Sequence, residues 1–209
     1  MPTIAELEIL VAERRQGLGE AHADTLSAML DLAEALWGEG RLHAARQLEE
    51  AVVAGRRELF SAEHPDTLKA LGKLAVSIGQ QGDLAEARRL QEEVAAGMRA
   101  AVGAEARDTL RAVNNLAGTV AALGDVEAAH SLLRETIETL TRVFGDDDAD
   151  TLTSLGNLAA LLWQAGERDE AAALQEHVAG ALRRTRGQDD PAAQAAEATL
   201  TAMLNEGLF

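Results

Sequence analysis

Apolar residues recur three and four positions apart along most of the chain, the spacing that gathers them on one face of a helix. Between residues 66 and 80 they are Leu68, Leu71, Leu74, Ala75 and Ile78. Gly82 follows that run, and a left-handed C-terminal cap costs a glycine nothing. A second amphipathic run begins near Asp83 and carries Ala87, Leu90, Val94 and Ala95. No stretch alternates β-branched and polar residues as a half-buried strand does. The pattern therefore predicts an all-α chain, with helices taken two at a time.

The pairs repeat. Asp-Thr-Leu occurs at Asp24, Asp66, Asp108 and Asp150, each 42 residues from the last. Gly40, Gly82, Gly124 and Gly166 keep the same step, as do Ala45, Ala87, Ala129 and Ala171, and Leu48, Leu90, Leu132 and Leu174. Several registers sharing one period mark a helical array whose units bury their apolar faces by stacking. The aspartate is expected to open the first helix of each pair, its carboxylate accepting from first-turn amides and matching the positive end of the helix dipole. Gly19, Gly103, Gly145 and Gly187 are expected to close the second helices, with Ser61 the exception. The reading is a single domain over 1–209: a partial repeat at 1–18, repeats at 19–60, 61–102, 103–144 and 145–186, and a capping helix at 187–209. Residues 4–18 align with a second helix, Arg14-Arg15 matching Arg56-Arg57, and residues 191–205 with a lone first helix.

Charge narrows the partners. The chain has 19 Lys plus Arg against 35 Asp plus Glu, a formal charge of −16. Nucleic acid and anionic membranes need a positive face and are not expected as partners. The sequence has no Cys and no Tyr, so there is no disulfide or thiolate chemistry, which fits a reducing cytoplasm. The N-terminus lacks the basic and apolar regions of a signal peptide, and no apolar run is long enough to span a bilayer. The Ala- and Arg-rich usage suggests a bacterial source.

The run His64-Pro65-Asp66-Thr67-Leu68, the run Val113-Asn114-Asn115-Leu116-Ala117, and the later Gly124-Asp125 and Glu127-Ala128-Ala129 resemble the tetratricopeptide repeats of kinesin light chain and its bacterial relatives. The resemblance covers roughly residues 4–205. It implies a right-handed superhelix of antiparallel pairs whose first helices line a concave groove for an extended peptide. Such arrays often follow a nucleotide-binding switch domain, but this sequence has no glycine-lysine phosphate loop. It also departs from its relatives at Leu36, Ile78, Val120 and Leu162, where they often carry rings.

On that scaffold the positions three, six, seven, ten and thirteen residues after each aspartate should face the groove. They are Ser27, Leu30, Asp31, Glu34 and Trp37; Lys69, Gly72, Lys73, Val76 and Gly79; Arg111, Asn114, Asn115, Gly118 and Ala121; and Thr153, Gly156, Asn157, Ala160 and Trp163. Lys69, Lys73 and Arg111 would gather cations there, and Arg111 can hold a carboxylate through two parallel hydrogen bonds. The resemblance places backbone-gripping amides at Asn115 and Asn157, with Asn114 beside them. Trp37 and Trp163 are candidate apolar anchors. Glycines inside helices cost up to about 1 kcal/mol each relative to alanine, which suggests that a ligand needs the room they leave.

Little else carries chemistry. The five His form no i, i+4 pair, so no metal site is expected. Asp146-Asp147-Asp148 lacks the spaced ligands of a calcium loop. No nucleophile–base pair appears, so neither catalysis nor a cofactor is expected. The reading is a protein- or peptide-binding scaffold that holds an acidic or C-terminal segment. The alternative is a self-associating module, a homodimer joined through its terminal helices, motivated by the helix at 4–18 and by Leu208-Phe209.

Overall fold

The structure is a computed structural model that describes residues 2–206. It contains ten α-helices and, among the described residues, no strand. They are α1 (Ile4–Leu18), α2 (Ala23–Gly38), α3 (Leu42–Leu59), α4 (Pro65–Gln80), α5 (Leu84–Val102), α6 (Arg107–Ala122), α7 (Val126–Phe144), α8 (Ala149–Ala165), α9 (Arg168–Arg186) and α10 (Pro191–Glu206). Successive helices pack as antiparallel pairs, and α1 and α10 stand as half pairs against α2 and α9.

The chain divides between Ala112 and Val113 into two compact units. In the first, Leu26, Met29, Leu68, Leu71 and Ile78 of the first helices and Val52, Val53, Val94 and Met98 of the second helices are buried. In the second, Leu116, Ala117 and Val120 of α6 cluster with Ala129 and Leu133 of α7, Leu158, Leu161 and Leu162 of α8 and Ala171 of α9. The alanine row at 45, 87, 129 and 171 has no exposed surface at all. A larger side chain there would push the helices of a pair apart.

One expectation about helix starts is corrected. The aspartates do not cap the first helices; each is the second residue of its helix. The capping group lies two positions earlier. Nδ1 of His22 accepts from the Asp24 amide at 3.1 Å, Nδ1 of His64 from the Asp66 amide at 3.2 Å, and Oδ1 of Asp148 from the Asp150 amide at 3.0 Å. The next residue of the triplet explains the offset. Thr25, Thr67, Thr109 and Thr151 are almost wholly buried. Their hydroxyls donate backwards, to the carbonyls of Gly19 at 2.8 Å, Arg56 at 3.3 Å, Gly103 at 2.7 Å and Gly145 at 2.9 Å. A buried hydroxyl left without a partner would cost about 1–3 kcal/mol. With threonine directed inward, aspartate is left in the first turn, exposed at Asp24 and partly exposed at Asp66, Asp108 and Asp150, where the dipole still favours it.

The glycine rows follow the expectation. The eight of them that end helices all have positive φ, between 74° and 98°. Ser61 breaks the second row. There α3 ends on Phe60 at φ −118°, and Arg56 secures the turn instead, its Nη1 donating to the Asp66 carbonyl at 2.6 Å.

Candidate functional site

Positions three and seven after each aspartate are exposed in all four pairs: Ser27 and Asp31, Lys69 and Lys73, Arg111 and Asn115, Thr153 and Asn157. Positions six and thirteen differ. Leu30 and Asn114 are buried at position six. Gly72 and Gly79 do not face the groove as expected. A Cβ on Gly72 would meet Val94 at 3.6 Å, and one on Gly79 would meet the Cβ of Ala87 at 3.2 Å. Gly79 lets α5 close on α4, while a Cβ on Gly72 would make only an ordinary contact. Gly118 and Gly156 do open outward, with nothing within 4 Å of the Cβ they lack.

In the first unit, ion pairs tie consecutive first helices along this row. Lys73 Nζ lies 2.7 Å from Glu34 Oε2, joining α4 to α2. Lys69 Nζ lies 2.8 Å from Asp108 Oδ2, joining α4 to α6. Arg111 is exposed one turn beyond Asp108. The lysines that sequence reasoning singled out therefore do share a face, and they share it with carboxylates of the same chain. All four of these side chains are substantially solvated, so each pair contributes about 0–1 kcal/mol and an incoming carboxylate can exchange with the resident one. Trp37, near the end of α2, is 38% exposed.

In the second unit the link is neutral. Asn157 Nδ2 donates to Asn114 Oδ1 at 3.2 Å, joining α8 to α6. Asn115 is exposed beside them. The first-helix segments of this unit, 113–122, α8 and α10, contain no Lys or Arg, and their only acids are Asp150, Glu197 and Glu206. The charges are on α7 and α9, where Arg134 pairs with Glu170 at 2.6 Å. Trp163 is half-buried against the core, with the Arg168 guanidinium 5.1 Å from its ring centre. It is a packing residue first, with one edge open.

Away from these faces, Phe144, Asp146, Asp147, His177 and Arg184 line an open cavity of about 690 Å³ at the end of α7. Two of its carboxylates have structural roles: Asp147 accepts from Arg184 at 2.9 Å, and Asp148 caps α8. Among the described residues there is no cluster of three or more metal-ligating side chains, and no helix is long and apolar enough to cross a membrane.

Sequence reasoning missed one site. Glu49 of α3 is buried, bonded to the Ser77 hydroxyl, with Oε2 lacking any partner. The 42-residue register held a signal for it: Glu49, Gln91 and Gln175 fall where Leu133 stands in the third pair, so polar groups occupy a packing position.

Antiparallel helix pairs on a fixed step, presenting exposed side chains from the first helix of each, define a helical-repeat protein of the kind that serves as an interaction scaffold. The chain belongs to the tetratricopeptide repeat family, whose models match residues 66–142 and 108–184, and, for a second model, residues 25–66. No curated protein matches it. Among solved structures, the putative kinesin light chain TPR-like repeats of Podosopora anserina are similar at 28% identity and a TM-score of 0.66, covering 88% of this chain and 87% of that one. A point variant of the same repeats has 28% identity and a TM-score of 0.69, covering 88% and 86%. BtubC (BKLC) from P. vanneervenii shares the fold at 20% identity and a TM-score of 0.73, covering 98% of this chain and 90% of that one.

Proposed function

We propose that the exposed faces of the first helices hold an extended segment of a partner protein. The face of the first unit, with Lys69, Lys73 and Arg111, reads acidic side chains or a terminal carboxylate. The face of the second unit, with Asn115 and Asn157, takes the uncharged main chain. One observation carries the reading. Side chains of consecutive first helices reach one another within each unit, through Glu34–Lys73 and Lys69–Asp108 in the first and Asn114–Asn157 in the second. The family's general use as a protein-binding scaffold agrees with it.

The test begins with the partner recovered from the native cell and measured by calorimetry. Arg111→Glu should weaken binding by about 2–5 kcal/mol if the ligand carboxylate is desolvated there. Affinity should fall with added salt, because screening acts over about 8 Å at physiological ionic strength. Asn157→Ala should weaken binding without changing that salt dependence, since an amide brings no net charge. Wild-type affinity in both variants would place the ligand elsewhere, on the second helices or at an end of the array.

A further inference from the structure

The Asn114–Asn157 pair is unlike its counterparts in the other repeats. The position of Asn114 is held by Leu30, Gly72 and Gly156 elsewhere, and that of Asn157 by Asp31, Lys73 and Asn115. Among the described residues, two asparagine side chains of consecutive first helices meet only between α6 and α8. Asn114 is 9% exposed and sits under the surface; Asn157 is exposed above it. A buried amide oxygen needs a donor, and Asn157 Nδ2 supplies it at 3.2 Å.

That bond has a directional consequence. An asparagine amide has its acceptor and its donors at opposite ends. Once Nδ2 of Asn157 is committed to Asn114, Oδ1 is turned away from α6. Among the described residues, Oδ1 of Asn157 accepts from no protein group. The neighbourhood lets a main chain come close. Gly118 lies one turn after Asn114, Gly156 immediately precedes Asn157, and both have open space where a Cβ would be. The nearby Thr153 hydroxyl is already donated to the Ala149 carbonyl at 2.8 Å.

We propose that Asn114 is a positioning residue that holds Asn157 with its oxygen outward, so that this point of the face recognises a hydrogen-bond donor, the backbone N–H of an extended ligand, and not a carboxylate. The proposal rests on the peptide-binding reading above and deepens it. Within the second unit, recognition at this point is then of a ligand backbone N–H and not of an acidic group. Asn115 has no such partner among the described residues, so its amide can turn either end to a ligand.

Two measurements separate this proposal from the reading it rests on. The first needs no ligand: hydrogen exchange of the Asn157 side-chain amide, followed by NMR. The wild type should show slowed exchange. Asn114→Leu, which places there the residue found at position 30, should lose the protection. Asn114→Asp, which keeps the acceptor, should retain it. Equal exchange in wild type and Asn114→Leu overturns the positioning role.

The second uses an array of short acetylated, C-terminally amidated peptides. The tightest binder is then N-methylated at one backbone nitrogen at a time. In the wild type one N-methyl group should reduce affinity about tenfold, the equivalent of a well-made hydrogen bond. In Asn157→Ala and in Asn114→Leu that same N-methyl group should matter less than about twofold, and in Asn114→Asp the sensitivity should persist. If the N-methyl penalty is the same in Asn114→Leu as in wild type, Asn114 does not set the recognition. An array with no binder overturns the peptide-binding reading and the ligand half of this proposal with it, while the exchange measurement still decides the positioning half.

Discussion

Glu49 is a buried carboxylic acid, 5% exposed, with one oxygen bonded to Ser77 and the other unpartnered. Burial pushes its pKa up from the ordinary 4.5; the Ser77 hydrogen bond and the charge of Lys73 pull the other way, and Glu50 adds to the rise. The folded chain therefore keeps this proton at pH values where the unfolded chain has released it. Stability falls as pH rises from about 4.5 through the raised folded value, because over that window the native state binds more protons. Glu49→Gln keeps the size and the bond to Ser77 while removing the titration. Its urea midpoint should equal or exceed that of wild type at neutral pH, and the gap between the two should shrink as the pH is lowered. A variant less stable than wild type at neutral pH would show that Glu49 is held ionised by Lys73.

The ten helices are legible because the 42-residue step shows in several registers at once, and each register names a structural job: cap, close contact, core. The aspartate reads as a cap in the sequence because both it and the residue two before it are compatible with a helix start. The choice is made by a hydroxyl reaching back six residues in three of the four pairs, a contact that no local pattern displays. Glycine is ambiguous for a similar reason, since spacing does not say whether the missing side chain would meet solvent or a neighbouring helix. Two positions make the difference measurable. A Cβ on Gly97 would lie 2.9 Å from both terminal methyls of Leu68, whereas Gly118 faces open space. Gly97→Ala should cost about 1–3 kcal/mol by overpacking. Gly118→Ala should stabilise by up to about 1 kcal/mol through helix propensity alone. Thermal melts of the two variants check both, and shifts of the same sign would mean that the spacing between α4 and α5 adjusts freely. The candidate face is half legible. The exposed positions three and seven follow from the period, but the carboxylate partners of the lysines and the buried placement of Asn114 depend on how neighbouring helices abut.

At the scale of the whole molecule, the terminal helices argue against the self-associating alternative. Where the other first helices carry Leu26, Leu68, Leu110 and Leu152, α10 carries Gln194, and where they carry Ala33, Ala75, Ala117 and Ala159 it carries Thr201. In α1, Glu6 occupies the register of Leu48, Leu90, Leu132 and Leu174, and its carboxylate is used up in a capping box with the Thr3 amide at 2.7 Å. Polar side chains in these registers disfavour the packing of a second copy against α1 or α10. Ile9 at 59%, Leu18 at 43% and Leu204 at 55% exposure are scattered apolar residues on these helices, which is ordinary for a protein surface. Leu208 and Phe209, the other motive for self-association, lie outside the described residues. The expected result is a monomer at high micromolar concentration by light scattering, and a mass that grows with concentration would restore the alternative.

The two tryptophans fall one to each unit, Trp37 on α2 and Trp163 on α8, in a chain with no tyrosine. The protein thus has its own pair of fluorophores with little competing absorption at the red edge of the band. Trp37, half in water, should emit at longer wavelength than Trp163, which sits against the core under a guanidinium. Replacing either one by phenylalanine leaves a single native lamp in the other unit. Its colour and quenching then follow that unit alone, through melting or through the arrival of a partner, with no label attached.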